Sequence, residues 1–316
     1  VSNSGYLTIE NSTISGNTVK SDSNWVVGGG VYNRGGNVKI ENSLISGNTV
    51  SSDSGGAYGG GVFTFWGYLT IENSTISGNT VKSDNDRAGG GGLYNFDSYL
   101  TIENSTFSGN TVSSGFGRAG GGGVYNFGYL TIENSAISGN TVRGTSYSSY
   151  GGGVSNNGRL TIENSTISGN TVNSGTTVNG APRAFGGGVF NYSYLTIKNS
   201  TFSGNTVSSD SGVAAGGGVY NLWGYLTIEN SRFSGNTGSA VSNNHYGTIR
   251  NSTISENIGG AFISSGDYVV GVGGGVSNSG YLTIENSTIS GNSAAIDGGG
   301  LDNTGGTVTI RNSTIS

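Results

Sequence analysis

Apolar and polar residues alternate within one short segment that returns eleven times along the chain. Its first copy spans residues 7–18 and reads Leu-Thr-Ile-Glu-Asn-Ser-Thr-Ile-Ser-Gly-Asn-Thr. The alternation over residues 7–10 and 13–15 predicts two short β-strands, each with one buried face. A repeat with a period of a few tens of residues is typical of a solenoid. The central isoleucine is present in every copy: Ile9, Ile40, Ile71, Ile102, Ile132, Ile162, Ile197, Ile228, Ile249, Ile284 and Ile310.

The shortest period gives the size of one coil. Ile228 and Ile249 are 21 residues apart, whereas other copies carry extra residues between Gly-Asn-Thr and a Gly-Gly-Gly segment. A third strand-like piece, residues 31–33, follows the glycines. The pattern predicts a right-handed, single-stranded parallel β-helix of about eleven coils, with three short strands per coil and variable loops at one corner. We expect one domain over residues 1–316, as a fragment of a longer solenoid or a unit of a repeating filament.

Three asparagine columns are expected at the corners of the coils: Asn11, Asn17, Asn33 and their equivalents. Asparagine tolerates left-handed backbone, and stacked identical amides can hydrogen-bond along the axis. With the isoleucine ladder Ile9, Ile40 and Ile71, these columns are interpreted as architecture. Asn11-Ser12-Thr13 matches a glycosylation acceptor, but an inward-pointing asparagine would not be modified.

Composition narrows the class of protein. Glycine accounts for 62 of 316 residues, cysteine and methionine are absent, and the net charge is -5. The fixed phase of the repeat argues against disorder. The charge argues against nucleic acid as a partner, and no apolar run is long enough to span a membrane.

Two aromatic columns are expected to face outward by alternation. One precedes the leucine and the other follows the valine of each coil. Aromatic self-stacking between coils is one interpretation, and a contact stripe for sugars or proteins is the other. The first column is Tyr6, Tyr68, Tyr99, Tyr129, Tyr194, Tyr225 and Tyr281. The second is Tyr32, Phe63, Tyr94, Tyr125, Phe190 and Tyr220.

A charged column follows the central isoleucine and changes character along the chain. Its first part contains only glutamates, and its second part alternates in sign. Solvated carboxylates that splay apart are one interpretation, and bridging by a divalent cation, Ca²⁺, is the other. The first part is Glu10, Glu41, Glu72, Glu103, Glu133 and Glu163. The second part is Lys198, Glu229, Arg250, Glu285 and Arg311.

The motifs Phe-x-x-Asn and Gly-Gly-x-Val recur in phase. The first is found at residues 107–110, and the second at residues 28–31. Together they resemble the repeats of polymorphic outer-membrane proteins and related adhesin-like right-handed β-helix proteins of bacteria. The resemblance implies a surface-exposed or secreted protein that adheres or builds a surface structure. Most copies have isoleucine in place of the phenylalanine.

The residues favour a non-catalytic protein without a cofactor. The single histidine, His245, lies in the shortest coil, and the loop aspartates lack partners with acid–base spacing. Recognition is expected in the variable loops, which carry Trp25, Tyr58, Phe116, Tyr147, Tyr150 and Phe185.

These observations predict a structural or adhesive protein of an extracellular bacterial surface, extended by continued stacking of coils on itself. Surface glycans and proteins of a host or neighbouring cell are the expected partners. A carbohydrate-active enzyme, a polysaccharide lyase or hydrolase on the same scaffold, is the alternative. A further alternative is an ice-binding solenoid, because Thr13-x-Ser15 repeats as a flat hydroxyl array.

Overall fold

The computed structural model describes residues 1–175, 182–210, 212–264, 268–271 and 273–316. Within these ranges the chain forms a parallel right-handed β-solenoid, as predicted. Three sheets, I, II and III, each contain eleven strands in register. Ile71, for example, pairs with Ile40 on one side and Ile102 on the other.

The three sheets are visited in the same order in every coil. Sheet I contains Ser2–Asn3, Val31–Arg34, Val62–Phe65, Leu93–Phe96, Val124–Asn126, Val154–Asn156, Val189–Asn191, Val219–Asn221, Val241–Asn243, Val276–Asn278 and Leu301–Asn303. Sheet II contains Tyr6–Glu10, Asn37–Glu41, Tyr68–Glu72, Tyr99–Glu103, Tyr129–Glu133, Arg159–Glu163, Tyr194–Lys198, Tyr225–Glu229, Tyr246–Arg250, Tyr281–Glu285 and Thr307–Arg311. Sheet III contains Thr13–Ser15, Leu44–Ser46, Thr75–Ser77, Thr106–Ser108, Ala136–Ser138, Thr166–Ser168, Thr201–Ser203, Arg232–Ser234, Thr253–Ser255, Thr288–Ser290 and Thr314–Ile315.

The inner core lies between these three sheets, and the predicted columns line it. Ile40 and Ile71 are fully buried, and Ile9 is nearly so. Phe107, Phe202 and Phe233 replace isoleucine in one column and are also fully buried. Because each position repeats at the strand spacing of about 4.8 Å, identical side chains pack on one another along the axis.

The segment predicted as a variable loop forms an arm with two further parallel sheets. The coils contain the three predicted strands, but in seven coils the segment predicted as a loop adds two more strands. Sheet IV contains Thr18–Ser21, Thr49–Ser52, Thr80–Ser83, Thr111–Ser114, Thr141–Gly144, Thr171–Ser174 and Thr206–Ser209. Sheet V contains Val26–Val27, Ala57–Tyr58, Ala88–Gly89, Ala119–Gly120, Ser149–Tyr150, Ala184–Phe185 and Ala214–Ala215. Ala261–Ser264 and Tyr268–Gly271 pair as an antiparallel hairpin.

The arm has a small core of its own. Valines of sheet IV, such as Val50 and Val81, pack against alanines of sheet V, such as Ala57 and Ala88. Small residues on sheet V let the two sheets approach closely, and the arm lies beside the inner solenoid rather than extending as loose loops.

The predicted number of coils is slightly too high. The solenoid makes about nine turns, against the eleven coils predicted.

Asn11 and its equivalents form the turn from sheet II to sheet III. Asn11 has φ of 48°, as the left-handed tolerance of asparagine predicts. Its side chain is exposed, so an inward orientation does not apply to this column. The turn uses the backbone preference of asparagine and leaves the amide in solvent.

The Asn17 column points inward and joins the coils. The Nδ2 of Asn110 donates to the backbone oxygen of Ile76 at 3.0 Å and to Oδ1 of Asn140 at 2.9 Å. The Oδ1 of Asn110 accepts from the backbone N–H of Asn79 at 3.0 Å and from the Nδ2 of Asn79. Each buried amide thereby forms hydrogen bonds with backbone groups at a corner of the coil, where the β-sheets supply no partners.

The Asn33 column forms a second ladder with one interruption. Nδ2 of Asn126 donates to Oδ1 of Asn156 at 2.8 Å. Thr64 stands where the neighbouring coils have asparagine, and Oδ1 of Asn95 on the next coil has no hydrogen-bond partner. Thr64 has no side-chain amide that could donate to this oxygen, and the oxygen therefore stays unpaired.

A serine ladder next to Asn11 was not predicted. The backbone N–H of Ser74 donates to Oγ of Ser105 at 3.0 Å, and Oγ of Ser74 donates to the carbonyl of Glu72 at 2.7 Å. The serine after each turn asparagine is therefore the inward residue of the Asn-Ser-Thr triplet.

Candidate functional site: the elbow groove

Sheets V and I meet at an angle and enclose a concave surface, here called the elbow. The second aromatic column projects from sheet I into it, away from the inner core. These side chains are not exposed as predicted. Phe63, Tyr94, Phe190 and Tyr220 are buried, because the arm covers them. Alternation along sheet I correctly gives their direction, but their burial depends on the arm.

The two faces of the elbow are complementary in size. Sheet V has glycine at Gly89 and Gly120, opposite tyrosines of sheet I. A Cβ at Gly120 would lie 2.8 Å from Cε2 of Tyr125, and one at Gly89 would lie 2.9 Å from Cδ2 of the same ring. Glycine is required there because the ring of Tyr125 occupies the space of a side chain.

The N-terminal part of the elbow remains open as a groove of about 640 Å³. Its floor includes Tyr58, Phe63 and Tyr94, which form one aromatic cluster. One wall carries the half-buried rings of Phe65 and Phe96 from sheet I and of Phe127, which directly follows a strand of sheet I. The groove spans the five coils from Trp25 to Tyr150, roughly 19 Å at about 4.8 Å per coil. This volume is in the range of sites for small organic molecules.

Three arginines line the groove: Arg34, Arg87 and Arg118. No carboxylate lines it among the described residues, although the chain carries 18 acidic and 13 basic residues. Arg87 and Arg118 occupy equivalent positions on adjacent coils and are exposed. The elbow is therefore positively charged on an acidic protein.

The phenols of Tyr58, Tyr94 and Tyr125 have pKa values above the ordinary range. Burial raises the pKa of Tyr58 to about 12, and Asp86 acts in the same direction. Burial also raises the pKa of Tyr94 and of Tyr125. Arg87 opposes these shifts at all three rings, which places its guanidinium close to the floor of the groove. At neutral pH these phenols are uncharged.

The six residues predicted for recognition differ in their exposure to solvent. Trp25, Phe116 and Tyr147 are exposed, whereas Tyr58 and Phe185 are buried in the elbow and Tyr150 is half-buried. Only Trp25, Tyr58 and Tyr150 line the groove. The wall phenylalanines and the arginines were missed, although their recurrence at the same position of successive coils is visible in the sequence.

The first aromatic column lies outside on sheet II and stacks along the axis, as one interpretation predicted. The rings of Tyr99 and Tyr129 are 4.8 Å apart and nearly parallel, and Tyr225 and Tyr246 are 5.4 Å apart. The guanidinium of Arg159 covers the ring of Tyr194 at 5.2 Å. Because stacked rings cover one another's faces, this column presents ring edges and hydroxyls to solvent. A role as a contact stripe stays a prediction.

The glutamate column is in register, and a lysine of the chain bridges one step of it. Nζ of Lys39 lies 2.7 Å from a carboxylate oxygen of Glu41 and 3.2 Å from one of Glu72. The hydrogen bonds that the Lys39 ammonium donates to these two carboxylates raise the pKa of Lys39. Within the described ranges, no group of three or more acidic or histidine side chains is arranged to hold a metal. Stabilisation by Ca²⁺ stays a prediction, checked by melting with and without chelator.

The alternating part of this column forms a charge ladder at Glu285. Its carboxylate accepts from Nε of Arg250 at 2.8 Å and from Nη1 of Arg311 at 3.0 Å. These hydrogen bonds hold the pKa of Glu285 below its usual value. The alternation in sign along this column therefore gives ion pairs at this position.

His245 packs in an aromatic cluster rather than beside a charged partner. Its ring meets Tyr225 and Tyr246 edge-on, with centroids 5.7 and 4.6 Å away. Its Nδ1 is buried without a hydrogen bond.

The described part of the chain contains no helix long and apolar enough to cross a membrane.

These features define a right-handed parallel β-helix with a side arm. The family described as "Right handed beta helix region" matches residues 1–189 and 183–316. The chain belongs to this family over its whole length. No curated protein and no solved structure is significantly similar to it.

Proposed function

We propose that the chain is a structural or adhesive protein of an extracellular surface, in which the inner solenoid is the shaft and the arm carries recognition. The axial ladders of buried asparagine and serine carry this proposal. They repeat through the solenoid and join each coil to the next, which suits a rigid, elongated support. The resemblance to polymorphic outer-membrane and adhesin-like repeats points to the same role.

The exposed aromatic side chains of the arm supply contact area. Phe116 and Tyr147 are 64% and 54% exposed and lie in the turns between sheets IV and V. Large exposed rings are enriched where proteins recognise partners. Their turns differ from coil to coil, whereas the inner columns do not.

Binding to cells and to arrayed glycans tests the proposal. Saturable binding is expected, with bound glycans recovered intact. The double variant Phe116→Ser/Tyr147→Ser should bind more weakly, whereas Trp66→Ser, which removes an exposed ring from a turn between sheets I and II, should bind like the wild type. Shortened or unsaturated sugar products would contradict the proposal and favour a polysaccharide lyase or hydrolase.

Two predictions about assembly and ice remain separate from this proposal. The hydroxyls of Thr75 and Thr106 are in register on sheet III, and Leu44, Ala136 and Arg232 interrupt the array. Thermal hysteresis tests ice binding, and electron microscopy of the full-length protein tests continued stacking into filaments.

A further inference from the structure

The elbow groove combines an apolar interior with unpaired positive charge. The rings of Phe65, Phe96 and Phe127 present hydrocarbon without hydroxyls along one wall. Arg87 and Arg118 line the other side, each immediately before a strand of sheet V. This division between an apolar wall and a cationic wall runs parallel to the solenoid axis.

The charge in the groove lacks a partner within the described chain. The ion pairs found among the described residues involve neither Arg87 nor Arg118. At about 4.8 Å, two like charges repel by roughly 0.9 kcal/mol in water. An anion between the two guanidiniums relieves this repulsion and accepts charge-assisted hydrogen bonds.

We infer that the elbow groove binds an amphiphilic organic anion, with its acidic group at Arg87 and Arg118 and its apolar body along the phenylalanine wall. The volume of about 640 Å³ suits a ligand of this size. Few hydrogen-bonding groups other than the arginines and the tyrosine hydroxyls line the groove. An apolar body therefore suits it better than a neutral sugar, whose hydroxyls need many partners. This inference goes beyond the proposed surface role and does not depend on it.

Two kinds of compound are amphiphilic organic anions of this type, a long-chain fatty acid and an aromatic acid. Both have an acidic group attached to an apolar body. The phenylalanine wall extends over three coils, which fits an aliphatic chain as well as fused rings. Competition between the two distinguishes the sources.

Fluorescence titration with 8-anilinonaphthalene-1-sulfonate, an aromatic sulfonate, tests the inference directly. We expect one saturable site on the folded protein, and displacement of the probe by dodecanoate or by naphthoate. The better competitor identifies the source. Dodecan-1-ol should compete much more weakly than dodecanoate, because it lacks the charge.

Variants assign the site to the groove. Arg87→Gln/Arg118→Gln should weaken probe binding about tenfold, the effect of losing charge-assisted hydrogen bonds. Arg143→Gln, which removes an exposed arginine from sheet IV, should leave it unchanged. Phe96→Ser should weaken binding as well, with an unchanged β-sheet circular dichroism spectrum showing that the fold is intact.

Three results would overturn the inference. They are equal binding by the double arginine variant and the wild type, equal competition by dodecanol and dodecanoate, and displacement by oligogalacturonate but not by either apolar acid. The last result would assign the groove to acidic sugars. Loss of adhesion in Phe116→Ser/Tyr147→Ser involves residues outside the groove, so the two proposals fail independently.

Discussion

The inner solenoid and the elbow are both built from stacked coils, but they follow different packing rules. In the inner core most positions repeat the same or a similar residue, so that Ile40, Ile71 and Ile102 lie on one another. In the elbow, unlike residues fit together, as Tyr125 does against Gly89 and Gly120. Stacking of like residues gives every coil the same register. Packing of unlike residues in the elbow gives each coil a different surface. A repeat protein can therefore acquire an individual site without disturbing its axis.

The largest expected effect comes from breaking an inner ladder. Asn110→Ala removes the hydrogen bonds that the side chain makes to the backbone N–H of Asn79 and to the backbone carbonyl of Ile76. The amides of Asn79 and Asn140 each lose one hydrogen bond as well. At about 1–3 kcal/mol for each buried group, we expect a loss of roughly 3 kcal/mol or more in the free energy of unfolding. Chemical denaturation followed by circular dichroism measures it.

Asn104→Gly is the matched control for this prediction. Asn104 is an exposed turn residue with φ of 47°, and glycine adopts positive φ readily. Stability should stay close to that of the wild type. Equal losses in both variants would mean that the inward ladder has no special role.

A smaller effect is expected from disturbing the complementarity of the elbow. In Gly120→Ala the new methyl group meets the ring of Tyr125, and overpacking of this kind costs about 1–3 kcal/mol. Gly5→Ala is the control, because its Cβ would meet nothing within 4 Å. Adding Tyr125→Ser should recover part of the loss. If the two substitutions simply add, the fit between Gly120 and Tyr125 does not determine the packing.

Alkaline pH should weaken the elbow through its tyrosines. The folded-state pKa of Tyr58, about 12, lies above its ordinary value of 10. Stability from the neutral phenol is therefore full below pH 10 and is lost as pH rises through the folded value. For one phenol the loss at pH 11 is on the order of 1 kcal/mol. Thermal melts from pH 8 to pH 12 measure it, and Tyr58→Phe should reduce the slope above pH 10. An unchanged slope in that variant would contradict the prediction.

The smallest effect is expected at the exposed charge ladder of sheet II. Arg250 and Arg311 lower the pKa of Glu285, so its contribution is present above the ordinary value near 4.5 and is lost as pH falls through the folded value. Glu285→Gln should flatten the dependence of the melting temperature on pH in acid and hardly change stability at pH 7, because exposed ion pairs contribute little. A large loss at pH 7 would show that this ladder resembles the buried ones.

The inner solenoid could be predicted from the sequence because its signal is local and repeated. Ile9 and its equivalents mark the buried face of sheet II, and the 21 residues between Ile228 and Ile249 give the size of a coil without the arm. The turn role of Asn11 follows from the same repetition.

The arm and the elbow were harder to predict because their signals are short. Sheet V has strands of two residues, as in Ala57–Tyr58, too few to show alternation. The recurrence of Val50 and Val81 at one position was a usable signal for sheet IV. Burial of the elbow aromatics depends on the arm lying beside sheet I, a contact between segments that no single strand reveals. The arginine-lined groove follows from that same contact.

Because the arm ends before the solenoid does, the resistance of the rod to pulling differs along its length. Sheets IV and V finish at Ala214–Ala215, whereas sheets I, II and III continue to the last coils. Under axial tension, force passes through every interface in series, but the interfaces beyond Ala215 share it among fewer hydrogen bonds. Rupture should therefore start in the C-terminal coils and leave the part with the groove folded. A rod of this design yields at a fixed position and spares the coils that carry the groove.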